Sequence, residues 1–237
     1  MTTSRFSDIG ENLKGIRHNI EEAAAAANRD PAAVTMMAVT KTVSAEDVNA
    51  AIRQGVTVLG ENRAQELLGK YDAYERENCE IHFIGHLQSN KVRQIINKVS
   101  MIQSVDSLKL ASEIGRQAVA AGGVLDVLIE VNIGGEASKS GVLPAAVPDF
   151  AMEIDGLEGL RLRGLMTIPP ICDKIEESER YFERARKLFV DMKDKNRDNR
   201  AIDILSMGMS GDYPAAIRQG ATLIRLGTAL FGARHYI

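Results

Sequence analysis

Short apolar runs rich in β-branched residues alternate along this chain with longer polar stretches of helical character. The apolar runs predict buried strands, and the polar stretches predict helices that cover them. Eight strand candidates span residues 34–40, 56–60, 80–85, 100–105, 124–133, 159–168, 201–207 and 221–227. The clearest helix candidates between them span 44–54, 62–76, 107–121 and 176–195. Such alternation is typical of a parallel sheet wrapped in helices.

One further helix is predicted before the first strand. Leu13, Ile16 and Ile20 have helical spacing within residues 9–27, and Pro31 follows the helix. The chain has 237 residues, close to the roughly 250 of a typical eight-stranded α/β barrel. No linker or low-complexity segment divides it. We therefore expect an α/β fold with one domain over residues 1–237, a single (β/α)8 TIM barrel with an extra N-terminal helix.

A short internal repeat agrees with this expectation. The sequence AIRQG occurs at 51–55 and again at 216–220, each time at the predicted end of a helix before a strand. Glycine supplies the left-handed conformation that helix ends favour. Helix chemistry alone can also produce such a match, so the repeat supports the barrel without proving it.

Charge and composition exclude several classes of function. The 29 basic and 32 acidic residues are mixed along the chain, and the net charge of −3 gives no basic surface for nucleic acid or an anionic membrane. The basic run at 91–98 is interpreted as the solvated face of a helix, and the run at 193–200 as an exposed helix end and loop.

No signal peptide or membrane span is predicted, so we expect a cytoplasmic protein. Cys79 and Cys172 lack disulfide or zinc spacing and are interpreted as reduced thiols.

Polar residues follow the predicted strands, where the active face of such a barrel lies. In chain order they are Lys41, Glu61, Asn62, His86, Ser104, Asn132, Thr167, Ser206 and Arg225. A barrel with a purely structural role does not need such a ring of polar residues at the ends of its strands.

Lys41 directly follows an apolar run, which places its amine at the predicted mouth of the barrel. Partial desolvation there makes an amine a competent nucleophile toward carbonyl groups. A lysine at a strand end more often extends into solvent, so its position alone does not decide its role.

The stretch SMGMSGDYPAAI at 206–217 predicts a phosphate site. Its amides at Gly208 and Gly211, its hydroxyls at Ser206 and Ser210, and a helix beginning near Asp212 are groups that bind phosphate. Gly227 and Thr228 after the eighth strand add another amide and hydroxyl. Loops after strands seven and eight are the usual phosphate site of this fold.

A reactive lysine after strand one beside a phosphate site after strands seven and eight fits pyridoxal 5'-phosphate (PLP), an aldehyde that carries a phosphate. Lys41 then holds PLP as a Schiff base, and Arg225 faces its ring nitrogen. A cationic guanidinium there disfavours ring protonation and makes the cofactor a weak electron sink.

The histidines give no metal site. His82 and His86 are predicted along one strand, about 13 Å apart, too far to share an ion. His86 either contacts a ligand or caps its loop, and the sequence favours neither.

Several motifs resemble one family. AVTK at 38–41, GENRAQE at 60–66, HFIGHLQSNK at 82–91, GLMTI at 164–168, LSMGMSGD at 205–212 and RLGTALFG at 225–232 are similar to the pyridoxal phosphate homeostasis proteins, also called the YggS/PROSC family. The resemblance covers nearly the whole chain in the same order. It implies a fold-type III PLP-binding barrel similar to the N-terminal domain of alanine racemase.

The residues and the resemblance together predict one cofactor-binding set. It consists of Lys41, Asn62, His86, Met166, Ser206, Met207, Gly208, Ser210, Arg225, Gly227 and Thr228. By resemblance Ser206, Ser210, Gly227 and Thr228 mainly bind the phosphate. Lys139 could bind cofactor transiently, but an exposed, solvated lysine is favoured there.

The resemblance implies that the protein binds and buffers PLP, delivers it to PLP-dependent apoenzymes, and lacks robust catalysis. A monomer or weak dimer is expected. One alternative is an amino-acid racemase with Tyr213, Tyr236 or His86 as base, but a racemase needs a further β-domain and a partner's tyrosine, and this chain ends at Ile237. Another alternative is a sugar-phosphate enzyme that uses Lys41 as a base or Schiff-base former.

Overall fold

In the computed structural model, which describes residues 3–195 and 202–233, eight parallel strands close into a barrel in chain order. They are β1 (Thr35–Val39), β2 (Val58–Glu61), β3 (Glu80–Phe83), β4 (Met101–Val105), β5 (Leu125–Val131), β6 (Leu160–Thr167), β7 (Ile204–Met209) and β8 (Leu223–Leu226). Strand β8 pairs with β1, with Met37 opposite Arg225. The predicted TIM barrel is confirmed.

Helices follow the strands and cover the outside of the barrel. They are α1 (Thr3–Ala26), α2 (Ala45–Arg53), α3 (Ala64–Lys70), α4 (Val92–Ile95), α5 (Leu108–Ala120), α6 (Val147–Asp155), α7 (Ile175–Lys195), α8 (Tyr213–Arg218) and α9 (Thr228–Phe231). No helix in the described part of the chain is long and apolar enough to cross a membrane.

The additional N-terminal helix is confirmed and begins earlier than expected, at Thr3. Leu13, Ile16 and Ile20 are buried against the barrel, as their spacing predicts. The helix packs on α8 and α9, and Asn19 donates a hydrogen bond to the Tyr213 hydroxyl at 2.7 Å. Helix α1 therefore supports the two elements that follow strands β7 and β8.

Two predicted helices differ from the structure. The candidate at 62–76 forms only α3 and a 3-10 turn at Tyr71–Ala73, and Tyr74, which follows the turn, is extended and buried in the core. The basic run at 91–98 contains only the single turn α4. Its Arg93 is exposed, as expected, while Val92 is buried in the core. The basic run at 193–200 lies largely outside the described residues.

The repeated AIRQG segments have the same structure. Each overlaps the end of a helix, α2 or α8, and each leads to a strand. Gly55 has φ of 91° and Gly220 has φ of 100°. Both glycines therefore have the left-handed conformation that the sequence predicts for them.

The barrel interior and the layer between sheet and helices form separate apolar clusters. Met101, Leu128 and Met166 pack together inside the barrel, and a second interior cluster surrounds Met37. Alternate residues of the strands pack outward against the helices. These clusters fill the interior between the two ends of the barrel, and a cavity lies at each end.

Candidate functional site

A cavity of roughly 350 Å³ opens at the carboxyl ends of the strands. Its lining is Val39, Lys41, Asn62, Ile84, Gly85, His86, Glu130, Ile168, Met209, Ser210, Gly211, Arg225, Gly227 and Thr228. Seven of the eleven predicted site residues are among them, and their binding of a cofactor stays a prediction. The other four, Met166, Ser206, Met207 and Gly208, lie outside the lining.

The loop that carries Lys41 is fixed from behind by helix α3. The Lys70 ammonium donates hydrogen bonds to the Thr40 carbonyl at 2.9 Å and to Glu66 Oε1 at 2.8 Å. The Thr42 amide also donates to Glu66, at 2.5 Å, and Thr42 has a left-handed φ of 62°. These contacts fix the backbone on both sides of Lys41, which lines the cavity.

Glu61, predicted in the ring around the mouth, points the other way. It is fully buried between the barrel and α3, where it accepts hydrogen bonds from Thr40 Oγ1 at 2.7 Å and from the Tyr74 hydroxyl at 2.6 Å. Its carboxylate lies 3.0 Å from the Lys70 ammonium. Burial and the contact with Glu61 raise the pKa of Tyr74, which keeps its proton and remains a donor. Glu61 thus stabilises the loop of Lys41 and does not face a ligand.

Ser210 connects the loops after β7 and β8. Its hydroxyl oxygen accepts hydrogen bonds from the amides of Gly227 at 3.3 Å and Ala229 at 3.1 Å. Together with Gly211 and Thr228, Ser210 and Gly227 form one wall of the cavity. The arrangement offers backbone amides and hydroxyls, which are uncharged donors suited to a phosphate.

Gly208 has a packing role. Its φ is 92°, and a Cβ atom there would lie 2.5 Å from the Cβ of Ala216 on α8. Next to it, the Met209 amide donates to Asp212 Oδ1 at 2.6 Å, and burial raises the pKa of Asp212. Of the two glycines whose amides are predicted to bind phosphate, Gly211 lines the cavity and Gly208 does not.

Arg225 is buried at the floor of the cavity. Its Nη1 donates to Ser206 Oγ at 2.7 Å and its Nη2 to the Thr167 carbonyl at 2.8 Å. Burial lowers the pKa of Arg225 to about 10, and Asp212 and Glu130 oppose this shift. The guanidinium therefore remains charged at neutral pH although both hydrogen-bonded acceptors are uncharged.

The structure corrects the expected position of Ser206, whose hydroxyl lies inside the barrel below the cavity. It contacts Arg225 and donates to Gln103 Oε1 at 2.7 Å. Its neighbour Met207 points outward into the helix layer, and Met166 belongs to an interior apolar cluster. These three residues support the site from outside its lining.

Glu130, which the sequence reading missed, lines the cavity near the end of β5. Burial raises its pKa to about 7; Asp106 adds to the shift and Arg225 opposes it. The sequence does contain a feature that indicates this residue, because Glu130 is an acidic residue within the apolar run VLIEV, two positions after Leu128. Since Leu128 faces the barrel interior, period-two alternation places Glu130 on the same side.

The other polar residues at strand ends have varied roles. His86 lies at the rim, with 65% of its side chain exposed and Nδ1 3.8 Å from Asp106. Asn132 donates to the carbonyl of Glu136 at 2.8 Å and orders the loop after β5. Lys139 was expected to be solvated, but its ammonium lies 2.6 Å from Glu136 and 3.2 Å from the Pro169 carbonyl. Through these two contacts, Lys139 forms part of the structure of the loop after β5.

Comparison with known proteins gives one consistent family. A family model described as alanine racemase, N-terminal domain, matches residues 12–235. A pyridoxal phosphate homeostasis protein from Pseudomonas aeruginosa is 45% identical over 231 residues, 98% of each chain. A protein of the same name from Haemophilus influenzae is 41% identical over 97% of each chain. The structure of PipY from Synechococcus elongatus with PLP bound superposes with a TM-score of 0.82 and 31% identity, covering 94% of this chain and 100% of that chain. This chain therefore belongs to the alanine racemase N-terminal domain family and, within it, to the pyridoxal phosphate homeostasis proteins.

Proposed function

We propose that the cavity binds PLP and that the protein buffers this reactive aldehyde. The observation that carries the proposal is the meeting of Lys41, Ser210 and Arg225 in one cavity at the mouth of the barrel. The names of the relatives and the PLP-bound structure of PipY support it.

The residues of the cavity fit the chemistry of this cofactor. PLP supplies an aldehyde that condenses with an amine, releasing water and forming a Schiff base, and Lys41 provides the amine. The hydroxyls of Ser210 and Thr228 and the amide of Gly211 would hold the phosphate, while the Gly227 amide donates to Ser210. The buried charge of Arg225 hydrogen-bonds only to neutral acceptors among the described residues, so an electron-rich ligand would complete its environment.

We propose binding and delivery as the function, without robust catalysis. Of the bases considered for a racemase, Tyr213 is buried and accepts a hydrogen bond from Asn19 on α1, and it does not line the cavity. His86 is at the solvent-exposed rim. Tyr236 lies outside the described residues. This geometry favours a holding site over one that moves protons on both faces of a substrate.

Delivery to PLP-dependent apoenzymes and a monomeric or weakly dimeric state complete the proposal. Transfer is measured by mixing the PLP-loaded protein with an apoenzyme and following recovery of that enzyme's activity. Recovery faster than the spontaneous release of PLP into buffer supports direct delivery, and recovery at the release rate contradicts it. Sedimentation at several concentrations measures the oligomeric state.

An absorbance titration with PLP tests the binding site. After unbound PLP is removed by gel filtration, wild-type protein is expected to retain an absorbance band between about 300 and 500 nm that saturates with added PLP, because the cofactor is held as a Schiff base. Lys41→Ala is expected to lose this band while keeping its fold. Lys109→Ala, which removes an exposed lysine on α5, is the matched control and should behave as wild type. A wild-type chain that gives no band would favour the sugar-phosphate alternative.

A further inference from the structure

A continuous line of buried hydrogen bonds runs through the barrel from the cavity toward its opposite end. Arg225 Nη1 contacts Ser206 Oγ at 2.7 Å, and Ser206 Oγ contacts Gln103 Oε1 at 2.7 Å. Gln103 Nε2 lies 2.9 Å from His82 Nδ1, and His82 Nε2 lies 3.1 Å from Glu80 Oε2. All members except Glu80 are buried. Residues from strands β3, β4, β7 and β8 thus form one continuous chain of hydrogen bonds.

With Gln103 Oε1 facing Ser206, one consistent set of donors and acceptors runs from Arg225 along these hydrogen bonds. A guanidinium only donates, so the Ser206 oxygen accepts from it and the Ser206 hydroxyl hydrogen is free to point to Gln103. The Gln103 oxygen accepts there, which leaves the amide nitrogen to donate to His82. His82 Nδ1 therefore carries no proton, and its neutral ring has its hydrogen on Nε2, which donates to Glu80.

We propose that Gln103 and His82 are positioning residues for Arg225. They orient the Ser206 hydroxyl so that its oxygen faces the guanidinium, and so they fix the direction of Arg225 in the cavity. The inference rests on the proposed binding of PLP there. A fixed, permanently charged guanidinium keeps the cofactor's ring nitrogen unprotonated. Because this line of hydrogen bonds ends on the Glu80 carboxylate, each hydrogen bond in it is polarised in the same direction.

The composition of the interior supports a positioning role. Met101, Leu128 and Met166 fill other interior positions of the barrel with apolar side chains alone. An apolar core of equal volume is often as stable as a buried polar chain, so stability does not by itself require glutamine and histidine at these positions. Ser206, Gln103 and His82 are the buried polar residues that hydrogen bonds connect to Arg225.

Substitutions of Gln103 separate the positioning role from a structural one. Gln103→Met keeps the volume but removes both hydrogen bonds, so the Ser206 hydroxyl loses its acceptor. Gln103→Glu keeps an acceptor for Ser206 and accepts from a protonated His82 Nδ1, so Arg225 stays linked. Gln117→Met is the matched control, because Gln117 is a buried glutamine on α5 that hydrogen-bonds to Glu113 and does not line the cavity.

The first measurement is the absorbance of bound PLP as a function of pH, together with its dissociation constant. Gln103→Met is expected to shift the midpoint of the absorbance change and to weaken binding by up to about tenfold, which is within the range for losing one neutral hydrogen bond. Gln103→Glu should restore the wild-type spectrum, and Gln117→Met should leave it unchanged. If the Gln103→Met variant has the wild-type spectrum and the wild-type affinity for PLP, the proposal is overturned. If Gln103→Met does not fold, Ser206→Ala makes the same test at the next link, with the same expected shift.

The second measurement needs no cofactor. Nitrogen NMR of the ligand-free protein should show His82 as the neutral tautomer protonated on Nε2, and Gln103→Glu should move a proton to Nδ1. A wild-type His82 protonated on Nδ1 would overturn the direction of the chain. Failure of wild-type protein to bind PLP refutes the proposed function instead, and the NMR result then still reports on the hydrogen-bond chain itself.

Discussion

The ion pair behind Lys41 gives the sharpest prediction for stability. The Glu61 carboxylate is fully buried, and the Lys70 ammonium, 15% exposed, lies 3.0 Å from it. Lys70→Met removes the cation but keeps an apolar stem of similar length. Because the carboxylate is then left in the interior without its charge partner, we expect a loss of about 3–5 kcal/mol in the free energy of unfolding. For a domain of this size, that corresponds to a fall of about 6–20 °C in Tm.

Urea unfolding followed by circular dichroism measures this loss. Lys14→Met is the matched control: Lys14 pairs with Glu11 at 2.8 Å, but both side chains are 73% exposed, so no measurable change is expected. Adding Glu61→Gln to Lys70→Met should recover much of the loss, since the amide oxygen still accepts from Tyr74 without a charge. A loss below about 1 kcal/mol for Lys70→Met would refute the reasoning, because it would mean that the buried carboxylate does not depend on this ammonium.

Further predictions concern packing and pH. Gly208→Ala adds a Cβ atom 2.5 Å from that of Ala216 at a φ of 92°, so it should lower the free energy of unfolding by about 1–3 kcal/mol in a urea titration. Gly123→Ala meets no atom and should be nearly neutral; equal effects would contradict the packing argument. The pKa of Glu130 is raised from 4.5 to about 7, so between these values the folded state binds the extra proton and this group's contribution to stability falls as pH rises. Glu130→Gln removes that dependence, and its stability relative to wild type should therefore increase between about pH 5 and 8, by up to about 3 kcal/mol. A constant difference across this range would show that the carboxyl titrates normally.

The sequence predicts the barrel because its strands are buried on both faces and appear as apolar runs. The residues after these runs predict the cavity well, since carboxyl ends of parallel strands meet at one end of the barrel. Lys41, Ser210 and Arg225 are found this way because each carries chemistry that a core position does not need.

Because both faces of each strand are buried, the sequence does not show toward which layer a polar side chain points. Neighbouring residues in a strand face opposite layers, and both layers are apolar here. Asn62 lines the cavity while its neighbour Glu61 faces the helices. Ser206 and Ser210 differ instead in depth, since Ser210 lines the cavity and Ser206 lies below it. Sequence pattern alone does not distinguish these pairs. The interior hydrogen bonds of Ser206 depend on residues from distant strands, which become neighbours only when the barrel closes.

The most direct test of the central claim is borohydride reduction of the PLP-saturated protein, followed by peptide mapping. Reduction converts the Schiff base to a stable secondary amine and marks the lysine that formed it. The account predicts a phosphopyridoxyl group on the peptide that contains Lys41, and no such label at that position in Lys41→Ala. Labelling spread over surface lysines, with Lys41 unmodified, would contradict it.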